Sequence, residues 1–442
     1  MEKTMWDHMQ QDIMNADIPE TERNKLLKNF LAMKEQKINI MITGATGCGK
    51  SSTINALFNA DVAKVGTGPD PETMDIKRFD LSNLILWDTP GLGDGKEPDK
   101  RHAKNIINKL NELDDKGNLL IDLVLVILDG GSRDMGTSYE LINQVIIPNL
   151  GENKKDRLLV AINQADMAMK GRGWNFDKNQ PQEVLSRFLD EKADSVRKRI
   201  REATGVDTQP ICYSAGYKDE FGQNRPWNLS KLLYHIIRFT PKEKRISYVE
   251  NINRDADMWK DNDDLRDYGR EIRSTFADSF LDSVRSGSEI GGEIGSIFGG
   301  AGKYVGSLIG GVVGGAANLV TSAVDKFTTF ISGGGCYITT AICEEQHKSD
   351  DCYELTLLRD FRDHWLKYQP GGKELIRQYY DIAPTIVANI AKQPNHSEIY
   401  QQINEQYLKP CIHLIESGNK ERCKELYIEM VEDLQERQKQ WQ

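Results

Sequence analysis

The chain has 442 residues, which is enough for two or three domains with a large buried core. Its formal net charge of −10 and pI of about 5.4 argue against a protein held to nucleic acid or anionic lipid by overall charge. The seven cysteines include no C-x-x-C pair, and the first residues lack a basic stretch followed by an apolar core, so we expect a reducing, cytoplasmic setting rather than secretion.

Residues 1–37 predict helices that are interrupted at Pro19 and that pack as an arm against the next domain. Residues 38–240 then alternate apolar strands with helical stretches. Uninterrupted apolar runs are typical of strands covered on both faces, so we expect an α/β fold, a mostly parallel sheet with helices on both faces. The candidate strands are 38–43, 84–87, 121–128, 158–162 and 210–213.

A glycine-rich stretch follows the first of these strands and leads into a predicted helix. It fits the pattern G-x-x-x-x-G-K-[ST], in which backbone N–H groups and a helix N-terminus surround a phosphate group. The lysine of the pattern is expected to reach the β- and γ-phosphates, and the following serine hydroxyl to bind Mg²⁺. The predicted nucleotide-binding residues here are Gly44, Ala45, Thr46, Gly47, Cys48, Gly49, Lys50, Ser51 and Ser52.

A second motif, Asp88-Thr-Pro-Gly91, follows the strand that ends at Trp87. An aspartate at a strand end can hold a water molecule on Mg²⁺, and the Gly91 N–H can contact a γ-phosphate. A threonine from the segment between the two motifs should complete the Mg²⁺ shell in the triphosphate state. Spacing favours Thr73 for this role, with Thr67 as the alternative.

The third motif, Asn163-Gln164-Ala-Asp166, follows the strand at 158–162. Guanine presents a ring N–H and an amino group side by side, and the two oxygens of the Asp166 carboxylate can accept both hydrogen bonds. Adenine lacks that pair of donors, so an aspartate here selects GTP over ATP. After the last strand, Ser214 and Ala215 are expected to offer a backbone N–H to the guanine oxygen.

In this order the motifs resemble those of the Era-like GTPases, the TrmE–Era–EngA branch, and in particular bacterial proteins related to ribosome-binding GTPases. The resemblance spans residues 38–240 and implies a P-loop GTPase domain that uses GTP, GDP and Mg²⁺. Two positions differ from the family pattern: Gln164 replaces a lysine, and Leu92 stands where Ras-like GTPases carry a water-orienting glutamine. Some relatives bind potassium through an asparagine at the position of Gly47, so potassium activation is not expected.

Without an obvious catalytic base, hydrolysis would rest on Lys50, Thr73, Gly91 and Mg²⁺. Relatives of this branch gain catalytic help from a partner or by dimerising. We therefore expect slow intrinsic turnover that rises on self-association of the GTPase domain, and a homo-oligomer is the expected assembly. No specific nucleic acid is expected as a partner.

The sequence predicts a polar helical connector over residues 241–286. Residues 287–332 differ from it in composition. Glycines recur there at a four-residue step, and 304–324 contain no charged residue. Three interpretations are open for this predicted glycine zipper: a membrane-inserting or oligomerising helix, a tightly packed helical hairpin away from lipid, or a flexible linker. Its apolar content is modest for a permanent membrane span.

The last segment, 333–442, is predicted to be mainly helical. The stretch from Cys336 to Cys343, together with 357–363, resembles the CFI-box domain found at the C-terminus of diverse bacterial proteins, although Tyr337 replaces the usual phenylalanine. Cys336, Cys343, His347 and Cys352 could form a zinc site, but their spacing is not a standard one, and buried or incidental cysteines are the favoured interpretation.

The whole sequence therefore predicts a bacterial GTP-driven switch whose nucleotide state or self-association controls membrane association or assembly through the glycine zipper, with stress or phage defence as a suggested setting. Such a protein would be cytoplasmic or conditionally attached to the inner membrane. The alternatives are a GTP-switched ribosome- or RNA-binding factor and a soluble scaffold.

Overall fold

The computed structural model describes residues 4–58, 76–91, 96–132, 135–152, 154–219, 222–223, 225–263, 265–285, 337–346, 348 and 352–438. These residues fall into two compact units. The first unit contains the described residues up to Asp263 together with Tyr268–Arg285, and the second contains residues 265–267 together with those from Tyr337 onward.

A six-stranded sheet forms the centre of the first unit, with the order β2-β3-β1-β4-β5-β8. All neighbouring strands run parallel except β2, which is antiparallel to β3 at the edge. The strands are β1 Ile38–Gly44, β2 Lys77–Asp80, β3 Leu84–Asp88, β4 Leu123–Asp129, β5 Leu158–Asn163 and β8 Ile211–Cys212; the two-stranded pairs are β6 Trp174–Asn175 with β7 Gln180–Pro181, and β9 Lys218–Asp219 with β10 Gly222–Gln223.

Helices cover both faces of this sheet, as the apolar strand patterns predict. The α-helices of the first unit are α1 Met5–Asn15, α2 Glu20–Lys34, α3 Lys50–Leu57, α4 Lys96–Leu110, α5 Gly136–Glu140, α6 Glu183–Thr204, α7 Leu229–Phe239 and α8 Tyr268–Arg285. A π-helical segment continues α5 over Leu141–Ile146, and shorter 3₁₀ segments cover Ile147–Asn149, Lys154–Asp156, Ala165–Gly171, Lys242–Tyr248 and Ala256–Trp259.

Successive side chains of a central strand enter different cores. In β1, Ile40 and Ile42 belong to the core that includes α1, α2, α3, α7 and α8, whereas Met41 belongs to the core on the other face with Ile106 of α4 and Val196 of α6. Alternation of this kind follows from the two-residue period of a strand. It explains why β4 is apolar at every position from Leu123 to Leu128.

The N-terminal helices share a core with the sheet. Thr4 and Asp7 form a reciprocal capping box at the start of α1, and the Trp6 and Phe30 rings lie 6.0 Å apart where α1 meets α2. The Met5 N–H also donates to Glu250, at 3.0 Å. The two predicted helices and the break at Pro19 are confirmed.

The segment after α7 is less helical than the sequence predicts, because only short 3₁₀ turns precede α8. Apolar side chains of this segment are nevertheless buried: Trp259, Tyr268, Ile272 and Phe276 lie in the core of the first unit. The exception is Leu265, which packs against the core of the second unit.

The second unit is helical throughout its described part, in agreement with the sequence. Its core gathers apolar side chains from all of its α-helices. The α-helices are Tyr337–Glu345, Tyr353–Asp360, Gly372–Ala391, His396–Ile403, Lys409–Glu416 and Lys420–Gln438; π-helical turns cover Phe361–Trp365 and Asn404–Leu408, and a 3₁₀ turn covers Leu366–Tyr368.

The predicted glycine zipper at 287–332 lies outside the described residues. Within the described ranges, none of the helices combines the length and the apolar content that crossing a bilayer requires.

A buried ion pair ties the connector to the sheet. Asp122, at the start of β4, accepts hydrogen bonds from the Lys244 ammonium at 2.7 Å and from the Asn39 N–H at 2.9 Å. Burial raises the pKa of the Asp122 carboxyl group, and the Lys244 charge opposes that shift. Asp122 is only 8% exposed, so this pair is shielded from water.

We expect Asp122→Ala to lower the free energy of unfolding of this unit by about 3 kcal/mol, because it leaves a buried backbone N–H and a partly buried ammonium group without their acceptor. Urea denaturation of the full-length protein checks this. Asp80→Ala is the control, since it breaks an exposed ion pair with Arg78 and should have little effect. A loss no larger than that of the control would contradict the assignment.

Candidate nucleotide-binding site

The glycine-rich loop joins the end of β1 to the start of α3. Gly49 has a φ of 90°, and a side chain there would collide with the amide of Asn163. Gly91, from the second motif, lies so close to the loop that a Cβ atom would strike the Thr46 backbone nitrogen. Glycine is therefore required at both positions, because atoms of another segment approach its Cα atom closely. The contact at Gly91 holds the second motif against the phosphate loop.

Lys50 begins α3, and its side chain lies along the loop. The Lys50 ammonium donates to the carbonyl oxygens of Gly44 and Ala45, at 3.1 and 3.2 Å. Ser51 is half-buried beside it, and one turn later the Thr53 hydroxyl donates to the Gly49 carbonyl at 2.8 Å. The loop thus presents one ammonium group and the N-terminus of a helix on the same side.

Asp88 ends β3 and is paired in register with Ile42 of β1. Its Oδ1 atom is buried and has no hydrogen-bond partner among the residues that the structure describes. Burial raises the pKa of this carboxyl group, and the charges of Lys50 and Lys77 act in the opposite direction. A buried carboxylate oxygen close to a lysine ammonium is suited to a hydrated cation, which is the role predicted for Asp88.

Asn163 joins three parts of the site. Its Nδ2 atom donates to the Cys48 carbonyl of the loop at 2.9 Å, and its Oδ1 atom accepts the Ala215 N–H at 2.9 Å. The end of β5 is thereby fixed to the phosphate loop and to the segment after β8. Asp166 lies half-buried in the 3₁₀ segment that follows.

Two details differ from the expectations for base recognition. The Ala215 N–H is engaged by Asn163, and the Gly216 N–H donates to the Ser214 hydroxyl at 3.3 Å, so neither N–H points freely toward a ligand. Gln164 has a φ of 60°, and its amide donates to the Gly47 carbonyl at 3.0 Å. The glutamine that replaces the family's lysine therefore lies against the phosphate loop.

Cys48 packs into the core beneath the loop. Burial raises the pKa of its thiol, so the side chain is a neutral packing group at ordinary pH. Thr73, Thr67 and Leu92 lie outside the described residues, and the structure leaves their predicted roles untested.

Two contacts that support the site carry no signal in the sequence. Lys192 of α6 donates to the carbonyl oxygens of Gly130 and Ser132, which shape the turn after β4. Tyr213 is fully buried, and its hydroxyl lies 2.7 Å from that of Thr53. Both contacts join residues about sixty or more positions apart, so no local pattern could have indicated them.

Of the four residues considered for zinc, the structure places Cys343 and Cys352 together, with their sulfur atoms 3.5 Å apart. Cys336 and His347 lie outside the described residues.

The sheet order, the loop and the three motifs at the carboxyl ends of β1, β3 and β5 define a P-loop GTPase domain. Residues 39–164 match the family model described as 50S ribosome-binding GTPase. The predicted fold class is confirmed, and GTP, GDP and Mg²⁺ are the ligands of this class of domain.

Individual relatives are similar to parts of the chain only. The protein YkfA of Escherichia coli (strain K12) is 31% identical over 35% of this chain and 50% of its own length. The tRNA modification GTPase MnmE of Mycoplasma mycoides is 29% identical over 43% of this chain and 40% of its own length. This chain thus spans about half the length of the first curated relatives it matches.

Among solved structures, Toc33 from Arabidopsis thaliana in complex with GDP and Mg²⁺ aligns with 56% of this chain and 99% of its own, at 18% identity and a TM-score of 0.33.

The residues fit a guanine nucleotide with Mg²⁺. Within the described ranges, the Asp88 Oδ1 atom is a buried oxygen without a hydrogen-bond partner, and glycine at positions 49 and 91 lets Asn163 and Thr46 approach closely. Ser51 and Asp88 would hold the cation, Lys50 the phosphates and Asp166 the base.

We expect Asp166→Asn to weaken GTP binding about 100-fold or more, because hydrogen bonds to a charged acceptor are worth about 1.5–3 kcal/mol each. Xanthine has a carbonyl group in place of the guanine amino group, so the new amide should favour xanthosine triphosphate. Competition against a fluorescent nucleotide measures both affinities. Asp177→Asn, an exposed change nearby, is the control; an unchanged GTP affinity in Asp166→Asn would refute the assignment.

Proposed function

We propose that this protein binds and hydrolyses GTP and acts as a nucleotide-dependent switch. The observation that carries the proposal is that Lys50, Asp88 and Asn163 lie at the same edge of the sheet: Lys50 follows β1 through the glycine loop, and Asp88 and Asn163 are the last residues of β3 and β5. A phosphate-binding loop, a cation-binding carboxylate and a base-binding segment are thereby held by one rigid support.

Each residue has a distinct part in the proposed reaction. Lys50 exchanges its carbonyl partners for phosphate oxygens and offsets the negative charge that develops there. Ser51 and Asp88 would hold Mg²⁺, which would supply positive charge to offset the negative charge of the phosphates. Asp166 and the segment fixed by Asn163 hold the base, so the γ-phosphate is aligned with the loop.

In the reaction itself, a water oxygen attacks the γ-phosphorus while the bond to the β-γ bridging oxygen breaks, giving GDP and phosphate. The chain offers no evident side chain to accept the proton of that water. We therefore retain the proposal that Thr73, Mg²⁺ and the Gly91 N–H assist, and that a second copy of the GTPase domain raises the rate.

The helix that follows the phosphate loop provides a direct route from the nucleotide to the connector. The last carbonyl groups of α3 are capped by Asn253: its N–H donates to Leu57 at 2.9 Å, and its side chain donates to Ala56 at 3.1 Å. The Trp259 indole in turn donates to the Asn253 carbonyl at 2.9 Å. A movement of α3 on nucleotide exchange would reach the connector through these bonds.

The connector continues into α8, which precedes the glycine-rich residues 287–324. We propose that the nucleotide state, self-association or both change the exposure of this segment, and that the output is membrane association or assembly. The support for this step is the presence of a switch and an uncharged, glycine-rich stretch in one chain.

We expect the hydrolysis rate per molecule to fall at least several-fold when the protein is diluted, because the proposed catalytic help comes from a second copy. Phosphate release, measured over a wide range of protein concentration, tests this. Lys50→Ala should be inactive at every concentration, which identifies any contaminating hydrolase. A rate per molecule that stays constant on dilution would refute the role of self-association. It would not contradict GTP hydrolysis by the single chain.

Flotation of the full-length protein with liposomes tests the proposed output. We expect flotation to differ between GDP and a non-hydrolysable GTP analogue, and to be lost when residues 287–324 are deleted. Nucleotide binding by the deletion variant should be normal, which controls for its folding. If the full-length protein floats in no nucleotide state, the membrane output is wrong, and light scattering would then show whether assembly replaces it.

A further inference from the structure

We propose that the second unit binds one zinc ion through Cys343, Cys352 and Glu354. One ligand atom from each of these residues lies within 4.8 Å of the other two. The site is built on local chain geometry within the second unit, independently of the nucleotide site.

Two consecutive helices bring the three side chains together. Cys343 lies near the end of the helix Tyr337–Glu345, and the Lys348 N–H donates to its carbonyl oxygen at 2.8 Å, which turns the chain back. Cys352 is the N-cap residue of the helix Tyr353–Asp360, and Glu354 lies in the first turn of that helix.

The distances and donor types suit zinc. The two sulfur atoms are 3.5 Å apart. In a tetrahedral site with Zn–S bonds of about 2.3 Å, two sulfurs are separated by about 3.8 Å, so only a small adjustment is needed. A pair of thiolates with one carboxylate selects a borderline-soft cation over Mg²⁺ or Ca²⁺, which prefer oxygen ligands alone.

The charges of the cluster also balance around a divalent cation. Two thiolates and one carboxylate bring three negative charges, and Zn²⁺ leaves one of them uncompensated. The Lys348 ammonium lies 2.6 Å from the Glu354 carboxylate and supplies the remaining positive charge. Because a carboxylate has two oxygens, Glu354 can keep Lys348 on one and offer the other to the metal.

Burial raises the pKa of the Cys343 thiol, and the hydrogen bond with Cys352 adds to that shift. Lys348 and Glu354 also line a cavity of ≈ 530 Å³, so water can approach the cluster from the side of Glu354.

The other buried cysteine pair of this unit supplies a matched control. Cys411 and Cys423 are fully buried, and the thiol of Cys411 faces the carbonyl oxygen of Cys423. Among the residues that the structure describes, no third ligand group lies close enough to complete a cluster with them. A serine at position 411 therefore perturbs the same core without removing a proposed ligand.

Elemental analysis of the full-length protein, purified under reducing conditions without chelators, tests the site. We expect about one zinc per chain in the wild type and in Cys411→Ser, and almost none in Cys343→Ser or Cys352→Ser. Glu354→Gln should weaken zinc binding at least tenfold in competition with a chromophoric chelator. Cobalt added to the metal-free protein should give a thiolate-to-cobalt absorption band that both cysteine substitutions abolish.

A second measurement needs no variant, in case the substitutions impair folding. Zinc should protect Cys343 and Cys352 of the wild-type protein from alkylation, as read by peptide mass spectrometry, and leave the partly exposed Cys212 unaffected. Three results would overturn the proposal: a wild-type protein without zinc or a cobalt band, equal alkylation with and without zinc, or a Cys343–Cys352 disulfide in the purified protein.

Discussion

The side-chain amide of Asn163 is the contact on which the arrangement of the site depends. It is buried at the carboxyl end of β5, and it uses one donor for the phosphate loop at Cys48 and its acceptor for the N–H of Ala215. Two loops that are far apart in the sequence are thereby fixed to one strand. Without these two hydrogen bonds, buried backbone groups of the two loops would have no partner, and water could not replace the amide. The hydrogen bonds therefore stabilise the arrangement of the loops.

Much of the first unit could be predicted from local patterns. Uninterrupted apolar runs identified five strands of the sheet, since a strand that is buried on both faces has no reason to carry polar residues. The glycine loop and the motifs ending at Gly91 and Asp166 could be found because each combines a strand end with a residue type that its chemistry requires. The edge strand β2 was missed because three of the four residues in Lys77–Asp80 are charged and exposed.

The sequence could not indicate contacts between residues that are far apart in the chain. Lys192 supports the turn after β4 from a helix some sixty positions away, and Asn253 caps a helix that ends nearly two hundred residues earlier. Glu354 in the second unit could not be predicted as a ligand for the same reason. A single glutamate beside a cysteine carries no signal until the chain turns at Lys348 and places both side chains next to Cys343.

The shared core of the first unit has a consequence for how this domain can be inherited. Side chains of α1, α2 and α8 lie in the same apolar cluster as β1, with Trp6, Phe30 and Phe276 among them. A gene fragment that encoded only the motif-bearing residues 38–240 would leave those contact surfaces open to water. The unit that evolution could transfer to another protein is therefore larger than the stretch that the motifs mark, and it includes sequence on both sides of it.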